Sequence, residues 1–134
     1  MRVSIITVCL NAAKTICLAL DSVAAQQGVE CEHIVVDGGS TDGTVELVKT
    51  RDSRLATLVS EVDLGIYDAI NKGLKLATGD VIGILNADDS LAHENVITRV
   101  LEILSDEKLN GCYSDLLYFD KDNPDEIVRY FRSN

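Results

Sequence analysis

The sequence contains no tryptophan, a single proline (Pro124), two histidines and only 4% aromatic residues. One proline set against nine glycines excludes a collagen-like or proline-rich low-complexity chain. Long hydrophobic runs are missing as well. The longest, Val3 to Leu10, falls well short of the ~20 residues that a membrane-spanning helix requires. Met1-Arg2 leads straight into that strand-like run, which is not the pattern of a secretory leader. The cysteines Cys9, Cys17, Cys31 and Cys112 form no CxxC pair, and His33 and His93 stand apart from them, so neither a zinc knuckle nor a dithiol redox centre is expected. Thiols without a disulfide pattern fit a reducing, cytoplasmic compartment. Positive charge is scarce: 12 Lys and Arg face 22 Asp and Glu, a net charge of −10. A polyanion needs clustered cations, so no nucleic acid is expected as a partner.

What is present is a 134-residue chain, 46% apolar and 25% charged, long enough for one core and read as a single domain over residues 1–134. Val3 to Cys9 is nearly continuous and β-branched, as in a strand covered on both faces. Ile16, Leu20 and Val23 repeat at helical spacing, and Gly28 is a natural stop after them. A second buried strand, His33 to Val36, halts at Asp37-Gly38-Gly39-Ser40-Thr41-Asp42-Gly43, a turn ending in helix-capping residues before Val45, Leu47 and Val48. A strand over Thr57–Glu61, a helix over Asp68–Ala77 and a strand over Val81–Leu85 follow. A helix then places Val96, Ile97, Val100, Leu101 and Leu104 on one face, and strand-like runs cover Cys112–Phe119 and Ile127–Phe131. This alternation predicts an α/β fold with a mainly parallel sheet and helices on both of its faces.

Ligands of such sheets bind beyond the C-terminal ends of the strands. The polar signals fall there: Asn11, Asp37, Glu61 with Asp63, and Asp88-Asp89 each follow a predicted strand. Adjacent carboxylates repel unless a cation joins them or water solvates them. Asp88-Asp89 therefore suggests Mg²⁺ or Mn²⁺ bound through oxygen, with further ligands borrowed from a substrate phosphate. The alternative is a solvated pair favouring the N-terminus of a helix beginning near Leu91. The glycine-rich turn lacks G-x-G-x-x-G, and Thr44-Val45 stands where a Walker loop needs Lys-Ser/Thr. As a tight turn capping a helix it explains itself, except for Asp37, which lies too far upstream to cap. No G-x-S-x-G element occurs, which argues against a serine hydrolase. A receiver domain would carry its acids after strand one, where Cys9-Leu10-Asn11 stands.

Val3-Ser4-Ile5-Ile6-Thr7-Val8 with Asn11, then Ile34-Val35-Val36-Asp37-Gly38-Gly39-Ser40-Thr41-Asp42-Gly43-Thr44, resembles the opening of the family-2 glycosyltransferases of GT-A, Rossmann-like fold. So does Asp63-x-Gly65-Ile66-Tyr67-Asp68-Ala69-x-Asn71-x-Gly73, with Ala77-x-Gly79-Asp80 running into Leu85-Asn86-Ala87-Asp88-Asp89. The Ile66-Tyr67-Asp68-Ala69 variant is similar to the branch that builds bacterial surface polysaccharides.

The resemblance implies transfer of a sugar, of hexosyl type and with inversion, from a nucleotide-diphospho-sugar to a saccharide or lipid-linked acceptor, with Mn²⁺ or Mg²⁺ assisting. It places Thr7, Val8 and Asn11 beside the base and Asp37 near it, where a carboxylate accepting a base N–H would favour UDP-sugars. Asn71 lies on the helix lining the donor pocket, and Lys72 adds a cation there or is a solvated helix residue. Asp89 matches the metal ligand, and Asp88 a contact to the ribose or to the water shell of the metal. Gly38 stands where many relatives carry a second acid, and Ile70 where many carry arginine. The family's general base lies in sequence beyond residue 134, so no catalytic residue is assigned and the chain corresponds to an N-terminal donor-binding portion that is inactive alone. Asp115 and Asp120 are candidates for bordering the acceptor, as against turn or surface roles. Cytoplasmic placement at the inner face of the membrane, with peripheral association, follows from family analogy. The alternative is a non-catalytic nucleotide-sugar-binding module of the same fold.

Overall fold

A computed structural model of the protein describes residues 1–51, 54–106 and 108–133. The chain divides into two compact units, Met1–Thr98 and Arg99–Asn134. In the first, β1 (Arg2–Cys9), α1 (Ile16–Ala24), β2 (Glu30–Asp37), α2 (Thr44–Arg51), β3 (Leu55–Ser60), α3 (Ile66–Leu76) and β4 (Val81–Ile84) alternate, and α4 (Val96–Leu104) begins before the unit ends. The second unit carries β5 (Leu116–Phe119) and β6 (Ile127–Phe131).

The four strands of the first unit form one sheet in the order β3-β2-β1-β4, with every pairing parallel. β1 and β2 are buried along almost their whole length because helices cover the sheet on both sides. Side chains alternate across a strand, and the packing follows that period. Cys9 and Val35 pack with Ile16 and Leu20 of α1 and Val48 of α2. Ile6, Val8, Ile34 and Val36 pack with Ala69 of α3. The expected parallel α/β sheet with helices on both faces is what forms.

Close approach of α3 depends on a glycine. A Cβ at Gly73 would lie 2.5 Å from Ile6 Cγ2, so the helix rests directly on β1. On the same face Glu32 is buried and accepts hydrogen bonds from the Thr78 N–H at 2.7 Å and its hydroxyl at 2.9 Å, from Ser4 Oγ, and from the Arg2 guanidinium at 2.9 Å. Burial disfavours its charge, but those donors outweigh it and hold the carboxyl below the usual glutamate range. On the opposite face Thr7 and His33 are fully buried, with Thr7 Oγ1 and His33 Nε2 2.8 Å apart.

α4 starts at Val96, later than the sequence pattern suggests. Gln26, buried after α1, sets that start: its Oε1 accepts the Ile97 N–H at 3.0 Å, while its Nε2 donates to the His93 carbonyl at 2.8 Å. Capping comes from a residue distant in sequence, which periodicity alone does not reveal. In the second unit β5 and β6 pair antiparallel. Asp115 accepts the Tyr130 hydroxyl and, at 2.9 Å, the Ser133 N–H, and Asp120 accepts the Asp122 N–H at 2.8 Å, so both serve the ribbon and its turn.

Candidate functional site

The chain runs from β1 outward to β2 and β3 and then returns to place β4 on the other side of β1. Strand order therefore reverses between β1 and β4, and a crevice opens where their C-terminal ends diverge. It holds a cavity of about 570 Å³ lined by Val8, Cys9, Leu10, Asn11, Ala12, Thr15, Ile66, Asn86, Ala87 and Asp88. A second cavity of about 290 Å³ shares Val8, Cys9, Leu10 and Ile66 and adds Asp63, Gly65 and Ala69.

The loops after β1 and β2 are stitched into one wall. The Asn11 N–H donates to Ser40 Oγ at 2.7 Å, and the Thr41 N–H returns a bond to Asn11 Oδ1 at 2.9 Å. The Ala12 N–H donates to Thr44 Oγ1 at 2.9 Å and the Ala13 N–H to Asp42 Oδ2 at 3.0 Å. Asn11 takes φ 50°, a left-handed conformation that asparagine tolerates better than most residues. Asp37 anchors the wall from below. It is fully buried, and its Oδ2 accepts the N–H groups of Gly39 at 3.1 Å and Ser40 at 2.9 Å and the Ser60 hydroxyl at 2.7 Å. Its Oδ1 accepts Ser40 Oγ and faces Cys9 Sγ at 3.5 Å. Burial opposes ionisation of Asp37, yet the bonds from Ser40, Ser60 and Gly39 prevail and its carboxyl sits below the usual range. Burial, reinforced by the adjacent Asp37 carboxylate, pushes the Cys9 thiol up to about 12.

Among the expected site residues, Val8, Asn11 and Asp88 line the larger cavity. Thr7 and Asp37 line neither cavity: both are fully buried, Thr7 beside His33 and Asp37 bonded to Ser40 and Ser60. Asn71 lines neither cavity. Ala69 and Gly73 face the sheet, which turns Asn71, two residues from each, to the exposed side of the helix. Lys72 Nζ is engaged by Glu61 Oε1 at 2.9 Å and Asp68 Oδ2 at 3.3 Å. Asp89 is exposed beside Asp88, with its Oδ2 accepting Asn86 Nδ2 at 3.2 Å. Because α4 begins only at Val96, the acid pair is not in its first turn, and the helix-dipole alternative loses its basis. Sequence reasoning set Asp63 among the polar residues at the strand ends without giving it a ligand role, and gave none to Ile66 or Asn86. The signal for them was the D-x-G-I motif and the position of Asn86 directly before Ala87-Asp88 at the end of a strand.

The profile of Glycosyl transferase family 2 matches residues 4–132. The chain belongs to that family. It is 38% identical over 120 residues to a PGL/p-HBAD biosynthesis glycosyltransferase of Mycobacterium bovis, a match covering 87% of this chain and 45% of the relative. Among solved structures, the mannosyltransferase PcManGT from Pyrobaculum calidifontis, in complex with GDP-Man and Mn²⁺, superposes with a TM-score of 0.76 at 30% identity, over 84% of this chain and 35% of that one. S. aureus TarS 1-349 in complex with UDP superposes with a TM-score of 0.69 at 28% identity, over 80% and 33%. The family-2 chain described here thus spans just under half the length of the curated relative. Among its described residues no helix is long and apolar enough to cross a membrane.

Proposed function

We propose that this family-2 chain binds the donor of an inverting glycosyltransferase, a nucleotide-diphospho-sugar, in the crevice between β1 and β4. The observation that carries the reading is the lining of the larger cavity: Asn11, Asn86 and Asp88 supply its polar side chains together with Thr15, and no lysine or arginine is among them. A diphosphate brings about two negative charges, and beside Asp88 those charges need a cation. Asp88 and Asp89 fit a divalent ion that takes its remaining ligands from substrate phosphate and water. They would not suffice as a cage of their own, and no cluster of three or more acidic, histidine or cysteine ligands exists among the described residues. Mn²⁺ or Mg²⁺ held there would supply charge stabilisation to the departing nucleoside diphosphate. The Mn²⁺ present with GDP-Man in the mannosyltransferase relative supports this choice of ion.

The chain's own residues do the rest. Val8 and Asn11 border the nucleoside, while Asp37 and Thr7 keep the wall rigid from behind. Lys72 ties Glu61 to α3 and so fixes the loop between β3 and α3. The acceptor is a saccharide or lipid-linked saccharide, consistent with polysaccharide or glycolipid assembly at the cytoplasmic face of a membrane. Titration calorimetry with UDP-sugars, with and without Mn²⁺, tests the proposal. Metal-dependent binding that Asp88→Ala and Asp89→Ala abolish, with the circular dichroism unchanged, is the expected result. Absence of metal-dependent binding to any nucleotide overturns it, and binding with no transfer in the presence of acceptor favours a binding module.

A further inference from the structure

Asp88 and Asp89 lie in the connection between β4 and α4, on a stretch with no strand or helix of its own. Helix α1 holds that stretch on both sides of the pair. Upstream, Ala87 is buried in the same core cluster as Ile16 and Leu20 of α1. Downstream, the Leu91 N–H donates to Ser22 Oγ of α1 at 3.1 Å. The Ser22 hydroxyl proton goes to the Ala19 carbonyl at 2.9 Å, so its oxygen is left to accept from Leu91. Asp88, Asp89 and Ser90 alone separate the two anchors. Helix α1 is a firm support, with Ile16, Ala19, Leu20 and Val23 fully buried. The Ser22 bond is not a helix cap: α4 begins at Val96 and takes its cap from Gln26.

We propose that Ser22 is a positioning residue for the acid pair: its bond to Leu91 holds Asp88 and Asp89 in place beside the larger cavity before a cation arrives. The inference rests on the divalent-metal reading of that pair. Both residues are exposed, and their carboxylates repel while no cation joins them. A loose connection relieves the repulsion by letting the acids swing apart, and binding a cation then costs the entropy of bringing them back. A connection pinned at Ala87 and Leu91 has that ordering done during folding. A site with two protein carboxylates and the rest of its ligands from phosphate and water depends on such preorganisation more than a closed cage does.

Two substitutions at one position test this. Ser22→Ala removes the acceptor and keeps a good helix former in α1. Ser22→Thr keeps the hydroxyl, which can still donate to a carbonyl one turn back. The 134-residue chain is titrated with Mn²⁺ in excess UDP or GDP. Affinity is read from the loss of the sharp paramagnetic resonance signal of free aqueous Mn²⁺, and thermal melts establish that each variant is folded. Ser22→Ala is expected to weaken Mn²⁺ binding by about tenfold, and Ser22→Thr to restore it. A merely structural serine lowers the melting temperature and leaves the Mn²⁺ affinity of the folded protein where it was. That result overturns the proposal while leaving the metal site intact. Equal weakening in Ser22→Thr ties the effect to shape rather than to the hydrogen bond, and overturns it as well. Failure of the wild type to bind Mn²⁺ with either nucleotide overturns the metal reading itself and this inference with it.

Discussion

Asp37 and Ser60 join the ends of two neighbouring strands: the Ser60 hydroxyl donates to Asp37 Oδ2 at 2.7 Å, across a pairing in which the two residues stand opposite each other on β2 and β3. The same carboxylate closes the turn over Gly39 and Ser40, so one buried acid fixes both the turn and the sheet edge beside it.

Replacing Asp37 by alanine removes a fully buried carboxylate from donors that are themselves only partly buried. Asp37→Ala is expected to lower stability by about 1–3 kcal/mol, because the charge-assisted bonds are lost. Urea denaturation followed by circular dichroism measures it. A loss below about 0.5 kcal/mol, the level of an ordinary surface change, contradicts the anchoring role.

Asp37 and Glu32 also predict an acid limb. Both are held below their usual ranges in the folded protein. Each contributes stability that is present above its unfolded pKa, about 4, and that is lost as pH falls through the depressed folded value. Stability should therefore decline steeply below about pH 4. Glu32→Gln should be less stable than wild type at neutral pH, with the gap closing as pH falls. A gap that stays constant from neutral to acid pH removes Glu32 from this account.

Gly73→Ala pits helix propensity against packing. Alanine gains about 1 kcal/mol in a helix interior, but its methyl would sit 2.5 Å from Ile6 Cγ2. Overpacking of this kind costs about 1–3 kcal/mol, so net destabilisation is expected. In an Ile6→Ala background the methyl has room, and the cost of Gly73→Ala should shrink or reverse. A double-mutant cycle reads this coupling, and strict additivity counts against the contact.

Cys9 should be inert. The thiol is buried and raised to about 12, so almost no thiolate exists at pH 8. Cys112 is exposed. Iodoacetamide followed by peptide mass spectrometry is expected to label Cys112 readily and Cys9 only after denaturation. Rapid labelling of native Cys9 would show that the β1 end is more open than the structure has it.

The order and type of the elements were legible in the sequence because each signal is local: a β-branched run for β1, a three-and-four repeat for α1, and glycines after α1 and α3 (Gly28 and Gly79). The acid pair Asp88-Asp89 at the end of β4 was legible for the same reason. Asp37 was visible as an acid after a strand, but its job was not. Its partner Ser60 lies 23 residues away, and only parallel pairing of β2 with β3 brings the two together. The sequence by itself determined the alternating α/β pattern and the placing of polar residues at strand ends, since hydrophobic period and turn chemistry act over a few residues. Tertiary structure alone decided which of those residues face a cavity. Packing enclosed Asp37 and Thr7, helix phase carried Asn71 to the outside, and the empty space over Gly38 admitted Asp63, each an outcome of which surfaces pack together rather than of which residues are adjacent in the chain.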